Sequence, residues 1–65
     1  MYLLNNRKEE YTEGLTISKI IEIKKYSYKK KIVRVNDKLI EEVDWAKTLI
    51  HEGDDVKIIH LLAGG

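Results

Sequence analysis

The chain contains no cysteine. That absence excludes a disulfide scaffold, a thiolate nucleophile and a thiolate zinc site within it. No apolar run approaches the length of a membrane span. The opening Met1-Tyr2-Leu3-Leu4-Asn5 lacks the charged start and long apolar stretch of a secretion signal. Neither sign of charge dominates: 12 Lys and Arg stand against 11 Asp and Glu, for a net +1. A chain so balanced has no general drive toward nucleic acid. The expectation is a soluble, cytoplasmic protein. With 65 residues it makes one domain at most, and such a chain buries only about 60% of its unfolded surface. A deep catalytic cleft is hard to build in so small a core, and without staples the core must rest on well-packed regular structure. A binding module, or a carrier acted on by partner enzymes, is what these bounds leave.

What is present reads as alternating strands around one helix. Residues 1–5 are short and mostly apolar, and residues 8–12 are polar and extended-capable. Together they predict a hairpin with its turn at Asn6-Arg7, although Arg7 stands where such a turn prefers Gly. Gly14 suits the crossover that follows, because glycine takes positive φ cheaply. Thr16 is the expected N-cap of a helix starting near Ile17. Ile17, Ile20 and Ile21 share one helical face, and Lys24 and Lys25 sit late, where positive charge complements the helix dipole. Residues 26–31 form a Lys-rich connector. The β-branched run at residues 32–35 predicts a strand, Asn36-Asp37-Lys38 a turn, and Leu39-Ile40 a brief pairing segment. The stretch around Trp45 predicts a short turn or 3₁₀ segment, and Gly53-Asp54 a second sharp turn. Residues 56–62 form the last and most apolar strand. One helix on one face of a mixed sheet is a sound solution for such an α+β chain.

Side-chain alternation in the last strand puts Val56 and Ile58 on one face, and Lys57, Ile59 and Leu61 on the other. If the first pair faces the helix, Ile59 and Leu61 lie on the open side, where an exposed apolar patch is a docking surface. The alternative is that the strand is buried on both faces. Trp45 is read as a packing anchor, given the area it can bury. Lys24, Lys25, Lys29, Lys30 and Lys31 form a basic cluster, read as a solvated face, with steering of a negatively charged partner as the alternative. His51 and His60 lack the neighbours a metal site needs. The pairs Glu9-Glu10, Glu41-Glu42 and Asp54-Asp55 are adjacent, so on a strand they point apart and make no catalytic dyad.

These residues together resemble the ThiS-type sulfur carriers of thiamine biosynthesis, β-grasp proteins related to ubiquitin. The resemblance runs over essentially the whole chain. Residues 3–6 look like the family's first strand and Asn-Gly turn. Gly14-Leu15-Thr16-Ile17 with Ile20-Ile21 is similar to its Gly-x-Thr-Val-x-x-Leu-Leu segment. Val35-Asn36 with Leu39-Ile40 matches its Val-Asn-x-x-Ile-Val hairpin. Trp45-Ala46, then Gly53-Asp54 with Val56 and Ile58, leads into the last strand, and Ala63-Gly64-Gly65 is the same ending. The departures are Arg7 for the turn Gly, Asn5 for an apolar residue, Glu41-Glu42 for a Pro-Arg pair, and Lys24 on the face where a third Leu is usual. The fold so implied is a β-grasp over residues 1–62, with a four- to five-stranded mixed sheet and one main helix. Residues 63–65 form a flexible tail.

The resemblance also implies a chemistry. The protein is a carrier, not an enzyme, and binds no cofactor or metal itself. A ThiF-type adenylyltransferase, of the ubiquitin-activating kind, uses ATP to place AMP on the Gly65 carboxylate. A sulfur donor protein then displaces AMP to leave a thiocarboxylate, and a ThiG-type thiazole synthase takes the sulfur. Gly64 and Gly65, lacking Cβ, allow the tail to approach a nucleotide closely, and Ala63 keeps that approach narrow. Ile59, Leu61 and Ala63 are the expected docking residues. With no cysteine, the sulfur cannot be held as a persulfide of this chain. Rivals are a small subunit of molybdopterin synthase, which the absence of Phe and Pro disfavours, a ubiquitin-like modifier, and, in a different class, a β-grasp module that binds RNA.

Overall fold

The computed structural model of the protein describes residues 1–26 and 30–61. Strands β1 (Tyr2–Leu4) and β2 (Arg7–Glu9) form the first hairpin, followed by helix α1 (Ile17–Lys24). Strands β3 (Lys31–Val35) and β4 (Lys38–Ile40) form a second hairpin, then a single 3₁₀ turn (Glu42–Asp44) leads toward β5 (Asp55–His60). The sheet runs β2-β1-β5-β3-β4. Its centre is mixed: β5 lies parallel to β1 and antiparallel to β3. A parallel pair needs a long crossover, and the helix and second hairpin fall within it.

The helix forms despite its four isoleucines because its ends and one face are fixed. Thr16 is extended, and its hydroxyl accepts from the Lys19 amide at 3.2 Å, the N-cap bond that satisfies an otherwise orphaned donor. Ile17 and Ile20 are fully buried, each worth about 1.5–3 kcal/mol of transfer free energy, which outweighs their lower propensity of a few tenths of a kcal/mol. At the other end Lys25 takes a left-handed conformation (φ 56°). Its amide donates to the Glu22 carbonyl and the Tyr26 amide to the Ile21 carbonyl, at 3.2 and 3.0 Å. That is a Schellman closure with Lys where Gly is usual.

The first hairpin turns one residue earlier than the sequence predicts. Its turn is Asn5-Asn6, with φ of 51° and 70°, and Arg7 opens β2 opposite Leu4. Asparagine tolerates this left-handed region better than other residues with a Cβ, so the missing glycine at Arg7 leaves no strain there. The second hairpin repeats the device at Asn36-Asp37, with φ of 52° and 68°. Gly53, at φ 85°, makes the turn before β5.

The core lies between α1 and one face of the sheet: Tyr2, Leu4, Val33, Val56 and Ile58 from the strands meet Leu15, Ile17, Ile20, Trp45 and Ile50. Trp45 is a packing anchor, as the sequence predicts, and its indole N–H donates to the Ile40 carbonyl at 3.0 Å. The segment carrying it is stitched to the start of α1, with Ser18 donating to the Trp45 carbonyl and Ile50 to the Leu15 carbonyl. Five strands of mixed direction and one helix on one face are the β-grasp arrangement that the sequence implies.

Candidate functional site

The site is built on β5, the central strand that leads to the chain's last residues. Leu62 lies outside the described residues, as do the expected site residues Ala63, Gly64 and Gly65. What the structure does place is the strand before them. Val56 and Ile58 are buried, at 0% and 5% exposure, whereas Ile59 and Leu61 are 47% and 41% exposed. The alternation is therefore real, and the reading of β5 as buried on both faces is set aside.

Cross-strand register extends this open face. Ile59 lies opposite Ile32, and Lys57 opposite Arg34, which is in turn opposite Leu39 on β4. On the far side of β5, Asp55 is paired with Leu3 and Leu3 with Lys8. The open face is thus an apolar strip of Ile32, Ile59, Leu61 and Leu39 beside a group of charges. Ile32, Arg34 and Leu39 are not among the docking residues expected from the sequence. Applying to residues 32–35 the alternation used for β5 finds the first two, since Val33 is fully buried.

Two contacts fix β5 where it approaches its end. The Asn5 side chain accepts from the Ile58 amide at 2.9 Å and donates to the Ile58 carbonyl at 3.2 Å. Its own amide donates to the Val56 carbonyl at 2.9 Å. Asn5, a departure from the family pattern, thus continues the β1–β5 ladder by side chain beyond the point where the backbone turns away. The Leu61 amide donates to the Lys30 carbonyl at 3.1 Å, extending the β3–β5 edge past His60.

The remaining candidates separate. The Lys cluster is not one surface among the described residues. Lys24 is tied to Glu9 at 2.9 Å, Lys25 closes the helix, Lys30 is exposed, and Lys31 lies over the Trp45 ring at 5.7 Å from its centroid; Lys29 lies outside the described residues. The ion pair between Lys24 and Glu9 ties the end of α1 to β2, both side chains being partly buried. A hydrogen bond to Glu9 raises the Lys24 pKa, opposed by some desolvation. The neighbouring Tyr2 phenol is also raised, first by burial and then by the Glu9 charge. His51 lies 3.7 Å from Asp54. No three metal-ligating side chains converge among the described residues. Asp54 serves its own turns, accepting from Asn36 at 3.0 Å and from the His51 amide at 2.8 Å. No helix among the described residues is long and apolar enough to cross a membrane.

The same fold occurs in the crystal structure of the thiamine biosynthesis protein ThiS from Geobacter metallireducens. The match has a TM-score of 0.77 and 20% sequence identity, and covers 98% of this chain and 97% of that one. At that identity the likeness establishes the fold. No curated protein sequence matches the chain. The sequence itself matches the ThiS family over residues 2–65, a span that includes the five described strands and the terminal Gly64-Gly65. The chain belongs to the ThiS family.

Proposed function

We propose that this protein is a sulfur carrier of thiamine biosynthesis, loaded at the Gly65 carboxylate and acted on by partner enzymes. The observation that carries the reading is the family match through Gly64-Gly65, and the open face on the strand leading there gives it a physical form. A carboxylate is a poor electrophile. Its oxygen attacks the α-phosphorus of ATP held by a ThiF-type adenylyltransferase, expelling pyrophosphate and leaving an acyl adenylate. Sulfur delivered at the sulfide level by a donor protein then adds at the acyl carbon and expels AMP. The resulting thiocarboxylate gives its sulfur to a ThiG-type thiazole synthase. The carrier supplies no acid, base, metal or cofactor of its own, and works in the cytoplasm.

In this scheme Gly64 and Gly65 enter the partner's nucleotide site, where a Cβ would hinder close approach, and Ala63 keeps the tail narrow. Ordering that tail costs free energy on binding, so affinity comes from the folded part, through Ile59 and Leu61. Intact-protein mass spectrometry tests the reading. Incubated with ATP, a sulfide source and the adenylyltransferase of the same organism, the chain should gain the mass difference between sulfur and oxygen. A chain truncated before Gly64 should gain nothing. An unchanged mass for the full chain, under conditions that load a known ThiS, would sink the proposal.

A further inference from the structure

The open face holds a charge arrangement that folding alone does not favour. Arg34 and Lys57 sit directly opposite each other on β3 and β5, and like charges at facing positions destabilise a sheet. Lys57 is partly neutralised by Asp55, two residues along the same strand, at 3.3 Å. Arg34 is exposed. Its guanidinium forms no hydrogen bond or ion pair with the described residues. Beside this pair lies the apolar pair Ile32 and Ile59, with Leu39 flanking Arg34. Lys8, Arg34 and Lys57 thus put three cations on the face beside Asp55, although the chain as a whole is nearly neutral; Glu41 and Glu42, which line a depression with Ile32 and Leu39 at its β4 edge, form no ion pair with Arg34 among the described residues.

We infer that Arg34, with Lys57 beside it, is the specificity residue of the docking face and receives a carboxylate from the adenylating partner. This rests on the carrier reading above and adds the chemistry of the partner surface: apolar side chains over Ile32 and Ile59, with an Asp or Glu set to bridge the two cations. The argument is complementarity. An uncompensated arginine fork between an apolar strip and a second cation is unfavourable in the free protein and is relieved when a planar anion seats on it. Because the contact is made with the folded face and not with the reacting acyl group, it governs capture more than chemistry.

The test measures pyrophosphate release by the adenylyltransferase of the same organism as the carrier concentration is varied. Arg34→Glu should raise KM about tenfold or more with kcat little changed, and should flatten the dependence of KM on salt. Lys19→Glu makes the same change in net charge on exposed helix α1, away from the open face, and should leave KM near that of the unaltered chain. Arg34→Glu should melt no lower than the unaltered chain, because it replaces a like-charge pair by an opposite one, so a loss of capture is not a loss of fold. Equal effects of the two variants, or no effect of Arg34→Glu, would overturn the inference while leaving the carrier reading intact. A dimer that Arg34→Glu dissolves, or RNA retention that it abolishes, would overturn it in favour of another occupant. If the unaltered chain releases no pyrophosphate at all, the carrier reading fails first and this inference with it.

Discussion

The two faces of the sheet are built by the same strands and do opposite work. On the helix side, alternate residues at the middle of β1, β3 and β5 are sealed: Tyr2, Leu4, Val33, Val56 and Ile58 belong to one core. On the other side, the residues between them keep apolar groups in water and set two cations face to face. Neither composition nor local propensity separates Ile58 from Ile59; only the strand period does. Alternate residues of the same strands thus serve the core and the surface, and on the reading proposed above the surface set meets the partner.

The sharpest way to break the comparison is to truncate neighbours. Ile58→Ala should cost about 2–5 kcal/mol, the usual range for emptying a buried isoleucine site. Ile59→Ala should change stability by no more than about 0.5 kcal/mol yet weaken docking to the adenylating partner. Denaturant melts followed by the fluorescence of Trp45, the chain's one tryptophan, measure the first, and calorimetric titration with the partner the second. Equal losses of stability at the two positions would erase the distinction between the faces.

A smaller effect is expected where the first hairpin meets β5. Asn5→Gly keeps the left-handed turn but removes both side-chain bonds to Ile58, and should cost about 1–3 kcal/mol. A native-state hydrogen-exchange measurement should show the Ile58 amide losing protection before that of Val33. Unchanged protection at Ile58 would mean the contact holds nothing.

The least expected change is with pH. Tyr2 and Lys24 both have pKa values raised by folding. For each, the protonated form is favoured in the native state. The stability they contribute is present at neutral pH and is lost as pH climbs through their raised values, above the ordinary Tyr and Lys values of 10.0 and 10.5. Stability should thus fall on the alkaline side, and Tyr2→Phe should lessen the fall. An alkaline limb identical in Tyr2→Phe would exclude the phenol as a contributor.

Much of this architecture was legible in the sequence, for identifiable reasons. Ile17, Ile20 and Ile21 with Thr16 before them located the helix, because spacing and a cap are local signals. Val56 and Ile58 against Ile59 and Leu61 located the two faces, because strand period is local too. The first turn falls one residue before the expected Asn6-Arg7 because two asparagines in succession accept positive φ without a glycine. Lys24 at an apolar position was legible as a departure, but Glu9, the partner that makes it tolerable, is fifteen residues away. Arg34 facing Lys57 depends on the β3–β5 register, which no local pattern fixes.

The bond from the Leu61 amide to the Lys30 carbonyl also sets a ruler. Gly65 is four residues from Leu61, and four fully extended residues span about 14 Å at most. If Gly65 is loaded as proposed above, a partner resting on Leu61 must hold its nucleotide within that reach. Glycines inserted between Leu61 and Gly65 should relax the requirement, and loss of a residue there should slow loading.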